Sequence, residues 1–182
     1  MRKICRNDKK GIGKIMLKIA VCDDQPECLA TIANSLQAYL QPRPSLFGRV
    51  SLFDNGQALL DAAAADDGFD IYLLDILMPE HDGIQVGQRL RELGEDGEII
   101  FLTCSNDYAA DSYNVGAFFY LLKPIDEQKL FQVLDAAAAK LNRRRRAVLV
   151  ATKHGPRRIS LEHILYAERV GRIMRYYCSV GT

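Results

Sequence analysis

The stretch KIAVCDDQ, residues 18–25, decides the fold: a short β-branched apolar run stops at two aspartates. Helical spacing follows at once, with Leu29, Ile32, Leu36 and Leu40 on one face. Pro26 falls in the first turn, where its missing N–H costs nothing. The same strand-then-helix unit repeats along the chain. Strands are expected at residues 18–22, 47–53, 70–74, 99–103 and 118–122. Helices are expected from residue 26, from a cap at Asp54 through Ala65, over 83–93, near 108–115 and over 126–142. Five apolar strands alternating with five amphipathic helices imply an α/β fold: a parallel sheet covered on both faces. About 125 residues suffice for such a unit to bury its own core. In an open parallel sheet the carboxyl ends of the strands meet in a crevice at the switch in strand order. Asp23 and Asp24 end the first strand, Asp75 the third, Thr103 the fourth and Lys123 the fifth, so these five side chains should converge.

The chain has 182 residues and a net charge of +1, which conceals a strong asymmetry. Residues 1–15 hold six basic and one acidic side chain, residues 16–140 eight and twenty, and residues 141–182 ten and two. An acidic module thus lies between two basic segments; the acidic module can hold a cation, and the C-terminal basic segment can approach nucleic acid. Apolar residues make up 48% and charged residues 26%, which excludes a largely disordered chain. The apolar runs fall far short of the roughly 20 residues needed to cross a bilayer. The basic N-terminus lacks the apolar region of a secretory signal. Five cysteines without ligand spacing agree with a reduced, cytoplasmic chain. Beyond residue 146 the pattern changes to short strands around turns at His154–Pro156 and Val170–Gly171. Thirty-six residues (147–182) are a thin basis for a separate core, so this part reads as the opening of a larger domain.

Three crowded aspartates repel one another unless a cation joins them. Hard oxygen ligands in an open, hydrated pocket suit Mg²⁺, which keeps several waters and takes a phosphoryl oxygen. One carboxylate aligned with phosphorus can then act as nucleophile, and Asp75, single at its strand end, is the candidate. Lys123 can pair with the carboxylate or with phosphoryl oxygens, and the Thr103 hydroxyl can donate to the phosphoryl group. New charge at the crevice mouth can bias a two-state loop.

These residues resemble the receiver domain of two-component response regulators. The resemblance spans residues 18–142 and rests on VCDDQ (21–25), LLDILMPEHDG (73–83), FLTCS (101–105) and GAFFYLLKPI (116–125), in the family's order and spacing. It implies a flavodoxin-like, doubly wound, five-stranded parallel sheet of order 2-1-3-4-5 with five helices. It implies Asp75 as phosphoacceptor, and Asp23, Asp24, Asp75 and the backbone carbonyl of Leu77 as Mg²⁺ ligands. Thr103 would be the switch hydroxyl, Lys123 the family lysine and Tyr120 the switch aromatic. The chain would be a signalling phosphoacceptor rather than an enzyme, served by a sensor histidine kinase. Phosphorylation would form a homodimer through the fourth helix, fifth strand and fifth helix. Leu77 and Ser105 fall where receivers tune phosphoryl lifetime; the bulk of Leu77 argues against fast self-hydrolysis. Cys104 stands where the family has a smaller residue. YLLKPI and the tail further resemble LytTR regulators, whose output is a β-rich DNA-binding domain of about 100 residues, of which roughly 36 are present here. The expected organisation is a basic tail (1–15), a receiver (16–142), a basic linker (143–146) and a partial LytTR-like domain (147–182).

Blander readings stand beside these. Aspartates often cap strand ends and open turns, but a bare cap does not account for Thr103 and Lys123 as well. A haloacid-dehalogenase-like hydrolase needs a second acidic group just after its nucleophile, where Asp75 is followed by Ile76 and Leu77. Tyr120 can be plain core, His81 a solvated loop residue, and Cys22 and Cys178 small hydrophobes. The run Arg143–Arg146 can favour a helix C-terminus, form a soluble linker or touch phosphates. Two functions follow: phosphorylation-controlled transcription through the tail, or a receiver acting through protein contacts alone.

Overall fold

The structure is a computed structural model that describes residues 15–43, 46–65, 68–79, 82–105, 108, 114–145, 147–152, 155–171 and 173–179. The chain divides into two compact units, residues 1–134 and 135–182.

In the first unit, strands β1 (Ile15–Cys22), β2 (Leu46–Phe53), β3 (Ile71–Asp75), β4 (Glu98–Thr103) and β5 (Phe119–Leu122) form one parallel sheet. Its order is β2-β1-β3-β4-β5, as expected. The helices among the described residues are α1 (Pro26–Leu40), α2 (Gly56–Ala65), α3 (Gly83–Glu92) and α4 (Glu127–Arg145). That makes four where five were expected, because most of the helix expected near residues 108–115 lies outside the described residues.

Side-chain alternation divides the core into two layers. Ala20, Tyr72, Leu74, Ile99 and Phe101 pack with Leu59 of α2 and with Ile84 and Leu90 of α3. The intervening strand positions, Ile19, Val21, Leu73 and Ile100, are equally buried and point to the other face. There Ile32, Leu36 and Tyr39 of α1 and Leu130 of α4 are buried too. Strands β3 and β4 are buried at every position, which explains their near-continuous apolar sequence.

Most boundaries moved by a residue or so, and three of the shifts have a visible cause. Strand β1 begins at Ile15 rather than Lys18, because residues 15–17 pair with Leu46, Phe47 and Gly48 of β2. Helix α2 is capped by Asn55 rather than Asp54: its Oδ1 accepts from Ala58 N at 2.8 Å, while Asp54 accepts from the Asn55 amide. Helix α4, opened by the Asp126 carboxylate on Gln128 N at 2.9 Å, runs to Arg145 and so includes most of the arginine run.

The second unit adds two antiparallel pairs. β6 (Ala147–Thr152) pairs with β7 (Gly155–Ser160); a single 3₁₀ turn, Leu161–His163, leads to β8 (Ile164–Val170), which pairs with β9 (Ile173–Cys178). The expected turn at Val170–Gly171 is present, with Gly171 at positive φ; of the turn expected at His154–Pro156, Gly155 and Pro156 open β7, Gly155 at positive φ, and His154 lies outside the described residues.

Candidate functional site

The strand ends carry the site. Asp23 follows β1 and donates its N–H to Phe53 O at 3.1 Å, while its Oδ1 accepts from Gln25 N at 3.0 Å as α1 begins. Asp75 is the last residue of β3 and Thr103 the last of β4. Lys123 follows β5 and donates its N–H to Thr103 O at 2.8 Å, which joins the ends of β4 and β5. At Gly83, an added Cβ would lie 2.0 Å from Asp75 O, so only glycine lets the start of α3 approach this close.

Carboxylate oxygens of Asp23, Asp24 and Asp75 lie within 4.8 Å of one another. Asp23 and Asp75 are buried and Asp24 is half-buried. Lys123 Nζ bridges two of them, 2.6 Å from Asp23 Oδ2 and 3.1 Å from Asp75 Oδ2. Among the described residues, three carboxylates meet one ammonium in a crevice where Asp23 and Asp75 are buried, which leaves an excess of negative charge. Burial pushes the Asp75 carboxyl above its ordinary range, and Lys123 opposes that only in part. Burial also works against the charge on Lys123, but its hydrogen bond to Asp23 and the field of both aspartates outweigh it and hold the ammonium above its usual value. Asp24 Oδ1 is buried and has no hydrogen-bond partner. A free hard oxygen beside uncompensated negative charge is what a small divalent cation needs, so the donor set fits Mg²⁺.

Thr103 is fully buried, and its Oγ1 accepts from Ser105 N at 3.3 Å. Tyr120 is half-buried and donates its hydroxyl to Ser105 O in a short contact. Ser105 is therefore held at its N–H by Thr103 and at its carbonyl by Tyr120, the two residues expected to act in switching. The Leu77 side chain is 45% exposed, and its N–H donates to the Asp75 carboxylate.

The structure thus brings Asp23, Asp24, Asp75 and Lys123 together, with Thr103 at the neighbouring strand end. Tyr120 reaches the site through Ser105. Sequence reasoning missed that Lys123 makes its shorter contact with Asp23, since strand-end placement does not say which carboxylate an ammonium prefers. It also missed a cavity of about 330 Å³ beside the crevice, lined by Glu27, Cys28, Thr31, Lys123, Pro124 and Leu130. Cys28 is half-buried there, donates to Gln25 Oε1 at 3.4 Å, and has its thiol pKa raised by burial. Its position one turn after Asp24 was the available signal.

The receiver-domain family model of response regulators matches residues 19–135, and the chain belongs to that family. It is 33% identical over 125 residues to the positive alginate biosynthesis regulatory protein of Pseudomonas aeruginosa, covering 67% of this chain and 47% of that protein. It is 26% identical over 123 residues to the transcriptional regulatory protein LytR of Staphylococcus aureus, covering 68% and 48%. The chain spans about half the length of the curated relatives it matches. Among solved structures, the response regulator DrrB of Thermotoga maritima superposes with a TM-score of 0.59 at 25% identity, over 70% of this chain and 54% of that one. A receiver domain from Clostridium thermocellum gives 0.61 at 23% identity, over 69% and 97%, a likeness of fold. Among the described residues, no helix is long and apolar enough to cross a membrane.

Proposed function

We propose that the chain is a phosphorylation-controlled transcriptional regulator of the cytoplasm, with Asp75 accepting a phosphoryl group from a sensor histidine kinase. The observation that carries this reading is the cluster of Asp23, Asp24 and Asp75 bridged by Lys123 at the strand ends. Asp23, Asp24, Asp75 and the Leu77 carbonyl would hold Mg²⁺, which supplies charge neutralisation for an incoming phosphoryl group. An Asp75 carboxylate oxygen forms the new bond to phosphorus while the bond from phosphorus to the kinase imidazole breaks. The leaving imidazole keeps the bonding electron pair and takes a proton. Lys123, already between Asp23 and Asp75, turns its ammonium to the phosphoryl oxygens as the carboxylate charge is consumed. Thr103 donates its hydroxyl to another phosphoryl oxygen, and in doing so leaves Ser105 N. That release frees the N–H of Ser105, whose carbonyl Tyr120 holds, so the two switch residues move together. The apolar Leu77 at the mouth keeps water from the acyl phosphate and slows its hydrolysis.

The exposed Phe119 and Leu122 of β5 favour a phosphorylation-linked homodimer through that edge of the sheet. Residues 16–142 serve as the receiver. Residues 143–146 lead into residues 147–182, a partial LytTR-like segment whose positive charge favours contact with DNA phosphates. The large apolar exposure of β8 and β9 supports a second reading, in which the tail acts through protein contacts. The deciding experiment is phosphate-affinity electrophoresis after incubation with a phosphohistidine donor and Mg²⁺. A shifted band that disappears in Asp75→Asn is expected. An unshifted wild type, or a shift that survives in the variant, overturns the assignment. Sequence-specific duplex binding strengthened by beryllofluoride separates the transcriptional reading from the protein-contact reading.

A further inference from the structure

Strand β2 lies at one edge of the receiver sheet, and among the described residues it pairs with β1 alone. Its eight residues, LFGRVSLF, keep an unbroken register with β1 and carry a single charge, Arg49, with no proline. Edge strands are normally kept from pairing further by shortness, charges, proline or a bulge. The opposite edge, β5, is four residues long and meets the first condition; β2 has one arginine and none of the rest. Its register shows which groups the edge presents. Asp23 N–H donates to Phe53 O at 3.1 Å, so the Phe53 backbone faces β1. Alternation turns the backbones of Phe47, Arg49 and Ser51 the same way, and directs the N–H and C=O of Gly48, Val50 and Leu52 outward. Side chains alternate as well. An added Cβ at Gly48 would lie 2.5 Å from Leu40 Cδ1, which places Gly48, Val50 and Leu52 on the α1 face. Phe47, Arg49, Ser51 and Phe53 belong to the face of α2 and α3, where Phe53 packs against the core. Phe47 and Leu52 are 44% and 47% exposed.

This edge is complementary to itself. We propose that β2 is an interface for a second copy of this chain, the two strands antiparallel about a two-fold axis through Val50. Val50 then stands against Val50 and Gly48 against Leu52, each pair exchanging both hydrogen bonds through the outward groups. Between them Arg49 stands opposite Ser51, whose hydroxyl can accept from the guanidinium, and Phe47 opposite Phe53, a cross-strand aromatic pair. On the α1 face, Leu52 of the second copy meets the bare backbone of Gly48 and the adjoining Leu40, which removes its exposed surface from water. A register centred one residue earlier sets Arg49 against Arg49, and like charges directly opposite destabilise a strand pair. Any strand could bond the outward groups. The match of large with small, ring with ring and guanidinium with hydroxyl selects this chain's own β2. The acidic excess of residues 16–140 lies off this strand, and repulsion beyond about 10 Å is largely screened at physiological salt. The edge lies across the sheet from β5, so this dimer needs no phosphoryl group on Asp75 and leaves the β5 edge open.

The test uses the full 182-residue chain, reduced and free of Mg²⁺ and beryllofluoride. Sedimentation velocity over a concentration series should show reversible exchange between monomer and dimer. Leu52→Lys, which puts a charge at an exposed edge position, should weaken the dimer about tenfold, since the two-fold axis counts it twice. Amide hydrogen exchange read by NMR needs no variant to fold. The Gly48, Val50 and Leu52 amides should gain protection as concentration rises, while those of Arg49 and Ser51, already turned to β1, should not change. Register is read by disulfide trapping. Arg49→Cys mixed with Ser51→Cys should cross-link under mild oxidation, and neither protein alone beyond the wild-type background. A monomer at every concentration overturns the interface. So does a dimer that forms only with Mg²⁺ and beryllofluoride, or one that leaves the three outward amides unprotected, because each places association on another surface. Cross-linking of the Arg49→Cys protein alone, or none in the mixture, overturns the register about Val50.

Discussion

The receiver sheet and the β8–β9 hairpin are both built of strands, yet they deal with water in opposite ways. Strands β3 and β4 are buried at every position, and their sequences, IYLLD and EIIFLT, carry no side-chain charge except at the ends. Strand β8, ILYAERV, is exposed at every position but its first, and β9 at every position but Tyr176. Parallel strands covered on two faces gain stability from area removed from water. A two-stranded pair cannot bury either face without a partner. Area removed from water is therefore concentrated in the first unit, and exposed strand surface in the β8–β9 pair.

Substitutions sharpen this contrast, beginning with the largest effect. Phe101 is fully buried, so Phe101→Ala should lower unfolding free energy by about 4 kcal/mol. The matching change in the hairpin, Ile173→Ala at a residue 67% exposed, should cost no more than about 0.5 kcal/mol. Urea denaturation of both variants checks this; comparable losses would show that the hairpin is covered in solution.

Next comes the crevice. Lys123→Met removes the ammonium from two buried carboxylates and should destabilise the metal-free protein by about 2 kcal/mol, read as a shift in denaturation midpoint. Asp75→Asn should do the reverse, raising the denaturation midpoint near neutral pH in the presence of a chelator. The sign follows from the raised carboxyl. With its folded value above the unfolded one, the native state takes up the proton more readily, so protonation of Asp75 favours folding at low pH. That contribution is lost as pH rises from the ordinary carboxylate range through the raised folded value. The advantage of Asp75→Asn should accordingly shrink as pH falls through that window. Added Mg²⁺ should stabilise the wild type more than the variant and narrow the gap at neutral pH, measured by thermal melting over a metal titration. A gap that ignores both pH and Mg²⁺ would separate Asp75 from the acidic cluster.

The smallest effect falls in the hairpin. Tyr177→Phe keeps the ring stack with Tyr166 and removes an exposed hydroxyl that bonds Glu168, so stability should change by no more than about 0.3 kcal/mol. A larger loss in thermal melting would mean that this bond, rather than the stack, orders the hairpin.

Much of the first unit was legible before any coordinates. The alternation of strands and helices is written in local periodicity, and the sheet order follows the family resemblance. The meeting of Asp23, Asp24, Asp75, Thr103 and Lys123 follows from one rule about the carboxyl ends of parallel strands. The turn between β8 and β9 was legible too, since Gly171 marks it. Other features depend on which side chains packing brings into reach across distant parts of the chain. Asn55 took the cap because its amide oxygen, not the Asp54 carboxylate, faces the Ala58 N–H. Lys123 lies closer to Asp23 than to Asp75 because β5 delivers its ammonium between the ends of β1 and β3. Ser105 became the shared partner of Thr103 and Tyr120 only because β4 and β5 are neighbours. Composition and spacing along the chain thus determined the fold and the identity of the crevice residues, because backbone periodicity and strand polarity are local properties. Only the tertiary structure decided the pairing of those residues and the exposure of the hairpin, because hydrogen bonds and burial depend on distances of a few ångströms between segments remote in sequence.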